Sequence, residues 1–144
     1  QGIIRVSDQV PELRIVIDHL PAMEPTAASR TAYDSALAEL KQRTNVYVKL
    51  STVIHRVDGH ISTDLNSHRD RLDELMEVLG EDRVIFGSDW PNSDGVTSLD
   101  KIVNIVREYF ATRSRRVAEK YFWQNSAKVY KWVQRADNQP TASV

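Results

Sequence analysis

The sequence predicts an α/β fold in which parallel strands alternate with helices. Two observations carry that prediction. Residues 14–18 (RIVID), 46–50 (VYVKL) and 83–87 (RVIFG) are apolar at consecutive positions and rich in β-branched and aromatic residues. That is the pattern of strands covered on both faces, where a half-exposed strand would alternate. Between and after these runs, apolar residues recur at helical spacing.

The elements follow in order. The opening segment (QGIIRVSDQVPEL) reads as the end of a helix and a loop leading into the first strand. After that strand, Tyr33, Ala36, Leu37 and Leu40 fall at i, i+3, i+4 and i+7, and Thr31 with Asp34 resembles a capping box. After the second strand, Leu65, Leu72, Leu75, Met76 and Leu79 form one stripe that Gly80 is suited to end. After the third, Leu99, Ile102, Val103, Val106, Tyr109 and Phe110 form another, with Thr97 or Ser98 as N-cap. A fourth helix is expected from about Ser114, carrying Val117, Tyr121 and Phe122. Asn125 is expected to interrupt it and to cap a final segment with Tyr130 and Val133. Trp123 and Trp132 read as core or helix-packing residues. Residues 1–135 are expected to form one partial domain and residues 136–144 a polar, frayed tail.

Composition narrows the function. The 19 basic and 20 acidic residues leave a net charge of −1, which offers no electrostatic footprint for nucleic acid or an anionic membrane. No run of about 18 apolar residues is present to span a bilayer. No secretory leader is visible, so a cytoplasmic location is the default expectation. The chain has no cysteine, so any metal would have to use histidine and carboxylate ligands. Three strands are few for a closed α/β domain, and the first residue is Gln1. The expectation is therefore part of a larger fold.

In parallel α/β folds the chemistry lies at the carboxyl ends of the strands. Here each run closes on polar residues: Asp18 and His19, Lys49 and Ser51, and Ser88, Asp89 and Trp90. His19 reads as a metal ligand, a general acid or base, or an imidazole satisfied by a nearby carbonyl. Asp18 is expected to be structural. Asp89 closes an apolar strand and is followed by Trp-Pro; a carboxylate there is expensive to bury without a partner. It reads as functional, with an N-cap or turn as the alternative. Lys49 reads as a paired cation, a catalytic amine or a contact for a substrate anion. His55, Arg56 and His60 lie in the long segment after the second strand, where loops shape substrate pockets. A basic residue there would suit a carboxylate-bearing substrate, and solvent exposure is the plainer reading. His68 reads as structural, and Trp90 as a wall of the pocket.

At these residues the chain resembles the amidohydrolase-related family of TIM-barrel hydrolases, especially its sugar-lactone and dicarboxylate lactonases. The matching segments are PELRIVIDHL, NVYVKLS, LGEDRVIFGSDWP and QNSAKVYKW. They are similar to the family's strand 5, strand 6, strand 8 and closing helix. The resemblance implies the C-terminal portion of a (β/α)8 barrel and hydrolysis of a lactone, a small-molecule substrate, by activated water. It implies that His19 is a metal ligand or carbonyl-polarising group and Asp89 the general base, sometimes also a metal ligand. It offers His55 and Arg56 as substrate contacts, to which the reading of the residues themselves adds Lys49 and Trp90. It implies either a divalent metal, zinc, held incompletely by His19 and Asp89, or no metal. The family's strand-1 His-x-His pair is absent, and Thr52 and Val53 stand where the family often has glycine after Ser51. Two other readings remain open. One is a zinc-dependent decarboxylase of the same superfamily. The other is a half-barrel without catalysis that forms a homodimer through exposed strand edges or acts as an interaction module.

Overall fold

The computed structural model describes residues 2–20, 25–57 and 59–139. Strands β1 (Ile15–Leu20), β2 (Val46–Leu50) and β5 (Val84–Phe86) form one sheet in the order β1-β2-β5, and the short β3 (Arg56–Val57) and β4 (His60–Ile61) pair separately. Both pairings are parallel, with Ile15 opposite Val46 and Val48 opposite Val84. Helices α1 (Gly2–Gln9), α2 (Arg30–Lys41), α3 (Arg69–Leu79) and α4 (Leu99–Ala111) flank these strands in sequence. Among the described residues, no helix is long and apolar enough to cross a membrane.

The consecutive apolar pattern has a direct structural cause. Val46, Val48, Leu50 and Val84 are buried on one face against Leu37, Leu72, Leu75, Ile102 and Val106. Tyr47 and Ile85 point to the other face, where they pack with Val16 and Val129. Alternate residues of β2 thus enter different apolar layers. Truncating a fully buried leucine such as Leu50 costs about 2–5 kcal/mol in sites of this kind.

The chain after α4 departs from expectation. Helix α5 (Arg115–Glu119) starts at Ser114, whose hydroxyl accepts from the Val117 N–H. A π-helical turn (Lys120–Gln124) then leads without a break into α6 (Asn125–Val129). Asn125 does not interrupt the helix. It is buried, and its amide donates to the carbonyls of Glu81 and Val84, both at 2.8 Å. Asn125 therefore ties the closing helix to the start of β5. Within the π-helical turn, Tyr121 is fully buried, stacks on Phe110 at 4.1 Å and donates to the Leu50 carbonyl at 2.9 Å. Burial pushes its phenol pKa upward. That bond holds the end of β2 where the polar rim begins.

Other expectations are corrected at the helix ends and on the surface. Helix α2 begins at Arg30 with Ser29 as N-cap, so Thr31 and Asp34 lie inside the helix and make no capping box. Asp34 instead pairs with Arg30, one turn away. Ser98 is the N-cap of α4. Trp123 and Trp132 are 40% and 48% exposed, hence not core residues. Gly80 ends α3 at φ 72 and ψ 170, a backbone region essentially confined to glycine. The expected tail is described as far as Gln139, where turns are held by Gln134 and Gln139; residues 140–144 lie outside the described residues.

Candidate functional site

The three parallel strands bring their polar ends to one rim. His19 Nε2 lies 3.5 Å from Asp89 Oδ1, although 70 positions separate the two residues in sequence. His19 Nδ1 lies 3.0 Å from the hydroxyl of Ser51, which is fully buried at the end of β2. A carboxylate on the Nε2 side favours a proton on Nε2. Ser51 then donates to Nδ1 and fixes the ring. Ser51 is a contributor that the sequence reading placed on the rim but not in the site.

Backbone geometry aims these side chains. His19, Thr52 and Asp89 have φ values of 55, 54 and 58, all in the left-handed region. Non-glycine residues enter that region infrequently, and such residues concentrate at functional sites. Each of the three lies at or just past the end of a parallel strand. After Asp89 the chain passes through a cis Trp90–Pro91 bond into a 3₁₀ turn (Asn92–Gly95). Asn92, in that turn, donates its side-chain amide to Asp89 Oδ1 at 3.2 Å. The signal for Asn92 was its position three residues after Asp89, within reach across one turn.

Lys49 and Asp18 form the second polar group at the rim. Lys49 Nζ lies 2.7 Å from Asp18 Oδ1. Hydrogen bonding to Lys49 holds the Asp18 carboxyl below its ordinary value, and the same bond raises the Lys49 ammonium above its own. Asp18 Oδ2 is also 3.8 Å from His19 Nε2. Asp18 thus pairs with Lys49 at the rim, beside His19.

Beyond Asp89 a cleft of about 530 Å³ opens between the loops that follow β2 and β5, within the usual size range of small-molecule sites. His55, Arg56, Asn92 and Thr97 line its polar parts, and Ile54, Val96 and Ile102 its apolar part. His55 Nδ1 bonds the Val53 carbonyl at 2.9 Å. Arg56 opens a hairpin, β3 (Arg56–Val57) with β4 (His60–Ile61), and donates to the Gly59 carbonyl. Gly59, at φ 81, precedes β4. Lys49 and Trp90 are not among the lining residues, and Trp90 is 55% exposed. His60 is exposed on β4, while His68 is buried with Nε2 2.8 Å from the Ser62 carbonyl.

His19 and Asp89 are the donors that a divalent metal would use. Among the described residues, no group of three or more His, Cys, Asp or Glu is placed to hold a metal ion. A catalytic zinc site usually takes three protein ligands, so the described residues do not by themselves fit one.

The model of the amidohydrolase family matches residues 3–132. The chain belongs to that family. Two similar curated proteins are L-fucono-1,5-lactonases. The one from Burkholderia multivorans is 29% identical over 123 residues, covering 78% of this chain and 41% of its own. That from Burkholderia ambifaria is 36% identical over 93 residues, covering 64% and 31%. The amidohydrolase chain thus spans about two fifths, or less, of these relatives. A solved amidohydrolase from Burkholderia multivorans with bound zinc superposes with a TM-score of 0.73 at 22% identity, covering 90% of this chain and 48% of that one. The three parallel strands and their helices accordingly correspond to part of an amidohydrolase TIM barrel, with the polar rim at the strands' carboxyl ends.

Proposed function

We propose that this amidohydrolase chain supplies catalytic residues for water-dependent opening of a sugar lactone, with L-fucono-1,5-lactone the first substrate to test. The observation that carries the proposal is the His19–Asp89 pair, 3.5 Å apart at the strand ends and beside the cleft. The relatives' lactonase activity supports the choice of substrate.

The chemistry follows from the two groups. Ester hydrolysis needs a base for water and a donor for the developing oxyanion. Asp89 accepts a proton from water as the water oxygen attacks the lactone carbonyl. The carbonyl π electrons move onto oxygen, where the Nε2–H of His19 donates a hydrogen bond. Collapse of the tetrahedral intermediate breaks the ring C–O bond, and Asp89 returns the proton to the departing alkoxide. Asn92, bonded to Asp89 Oδ1, keeps the carboxylate turned toward the rim.

The test is lactone hydrolysis by the purified chain, with and without added zinc, beside Asp89→Asn and His19→Gln. Each substitution is expected to lower turnover about 10²–10⁴-fold, the usual worth of a general acid or base, with unchanged circular dichroism. A well-folded chain that opens no lactone, or an Asp89→Asn variant as fast as the parent, sinks the proposal.

A second reading is favoured by the sheet itself. Among the described residues, β1 and β5 are each paired on one side only, and open strand edges invite pairing. A second copy of this chain could occupy them. Light scattering would give twice 16.5 kDa in that case, and a monomer mass would exclude it.

A further inference from the structure

The turn that follows Asp89 carries a polar group that the chemistry of the His19–Asp89 pair leaves unused. Ser93 lines the cleft and is 7% exposed, and its hydroxyl is buried with no hydrogen-bond partner among the described residues. Buried hydroxyls ordinarily find one. We infer that Ser93 is a specificity-determining residue whose hydroxyl is reserved for a hydroxyl of the bound ligand, an assignment that rests on reading this cleft as the substrate site.

The backbone of Ser93 is fully committed. Its N–H donates to the Asp89 carbonyl at 3.0 Å, and its carbonyl accepts from the N–H groups of Val96 and Thr97 at 2.8 and 3.0 Å. These bonds fix the residue one turn beyond Asp89. Serine hydroxyls in turns commonly bond a nearby backbone group, and this one does not. Its neighbour Asn92 has already given its side-chain amide to Asp89 Oδ1.

An unpaired hydroxyl in such a place weakens the ligand-free protein, because folding removes its water partners and replaces them with none. A serine hydroxyl reaches three staggered positions by turning about one bond. A ligand in the cleft can therefore draw it out and supply the missing partner. A ligand hydroxyl matches it best, since each group both donates and accepts. A ring without hydroxyls leaves Ser93 unpaired, and sites built to bond a substrate hydroxyl discriminate against analogues that lack it. Ser93 thus serves the bound state and not the fold, a conflict that recurs where function and stability make opposite demands.

The test titrates two rings of equal size, L-fucose and tetrahydropyran, into the full chain and into Ser93→Ala, followed by the backbone amide NMR signals of residues 92–97. Tetrahydropyran carries no hydroxyl. The substitution is expected to weaken L-fucose about threefold to tenfold, the worth of a neutral hydrogen bond, and to leave tetrahydropyran unchanged. Without ligand, the urea midpoint of Ser93→Ala should equal or exceed that of the parent, because alanine removes the unpaired group. No binding of L-fucose, equal weakening of both rings, or unchanged L-fucose binding in Ser93→Ala would each overturn the assignment. So would a ligand-free Ser93→Ala chain less stable than the parent, which would mean that water already satisfies the hydroxyl. Lactone opening is measured separately. A loss confined to L-fucose in a chain that opens no lactone keeps Ser93 and removes the lactonase reading. Lactone opening with the same KM in parent and Ser93→Ala does the reverse.

Discussion

The aliphatic stem of Lys49 lies against the bare Cα of Gly87: a Cβ at that glycine would stand 2.5 Å from Lys49 Cδ and 2.6 Å from its Cγ. Lys49 stands opposite Ile85 in the parallel register, and Gly87 follows the last residue of β5 on the way to Asp89. Gly87 is thus required by the path of a neighbouring side chain, and that path delivers the ammonium to Asp18.

Gly87→Ala should therefore destabilise the chain by about 1–3 kcal/mol, as overpacking does in filled sites. Lys49→Ala should relieve most of that cost in the double variant, because it removes both clashing atoms. Urea unfolding of the four chains in a double-mutant cycle measures the coupling. Additive effects would mean that the two residues do not meet.

The Lys49–Asp18 pair predicts a pH dependence of known sign. The Asp18 pKa is lowered from 3.8, chiefly by the hydrogen bond from Lys49. Its stabilisation is present above that value and is lost as pH falls through the lowered pKa. The Lys49 pKa is raised from 10.5 by the same bond. Its share is present below that value and is lost as pH rises through the raised pKa. Asp18 is 54% exposed, so the pair is worth about 1 kcal/mol or less. Urea midpoints of the parent and Lys49→Met should differ most near neutrality and converge at strongly acidic and strongly alkaline pH. A difference independent of pH would show that the pair contributes nothing.

The strands and the rim were legible because buried parallel strands need unbroken apolar runs, and the polar residues that end them have few other places to go. Asp89 and His19 could be expected at that rim for the same reason. Ser51 could not be given a role, because its partner His19 lies 32 positions away, and Asn92 was passed over because its reach to Asp89 runs across an irregular turn. The β3–β4 hairpin was hidden by its length, since two-residue strands carry no periodicity. Trp123 and Trp132 were read as core or helix-packing residues on residue type alone, and each is too exposed for the core. The unbroken passage through the π-helical turn to Asn125 was illegible because Asn125 finds its partners on β5 and not on its own helix.

Arg83 gives a stability prediction far from the site. Its guanidinium donates to the carbonyls of Leu40 and Lys41 at the end of α2, of Arg43 just beyond it, and of Val78 and Leu79 at the end of α3. One cation thus serves the carboxyl ends of two helices, where carbonyls lack partners and the dipole favours positive charge. Burial pushes its pKa down, against a smaller opposing effect of Tyr47. Arg83→Met should cost about 2–4 kcal/mol, from several lost charge-assisted bonds and the carbonyls left behind. Arg83→Lys should recover only part, since one ammonium cannot reproduce the planar fork. Full recovery by lysine, measured by urea unfolding, would show that charge alone matters.

Thr52 gives the prediction in which sequence and structure meet most directly. The family resemblance placed glycine after Ser51, and this chain has threonine there at φ 54. A β-branched residue is a poor occupant of the left-handed region, which costs an ordinary L-residue about 1–2 kcal/mol. Glycine has no such penalty but loses more entropy on folding, about 0.5–1 kcal/mol relative to alanine. The Thr52 hydroxyl also donates to the Ser51 carbonyl at 2.6 Å, a short local bond that glycine would forfeit. The balance favours Thr52→Gly by up to about 1 kcal/mol, whereas Thr52→Val should destabilise by removing the bond and keeping the strain. Thermal unfolding of both variants checks the order glycine, threonine, valine. Because Thr52 also lines the cleft, lactone turnover measured in parallel shows whether the threonine is kept for its hydroxyl. A glycine variant that is more stable but slower would mean that the strain is held in the service of the site, and one that is less stable would mean that the local bond outweighs the backbone.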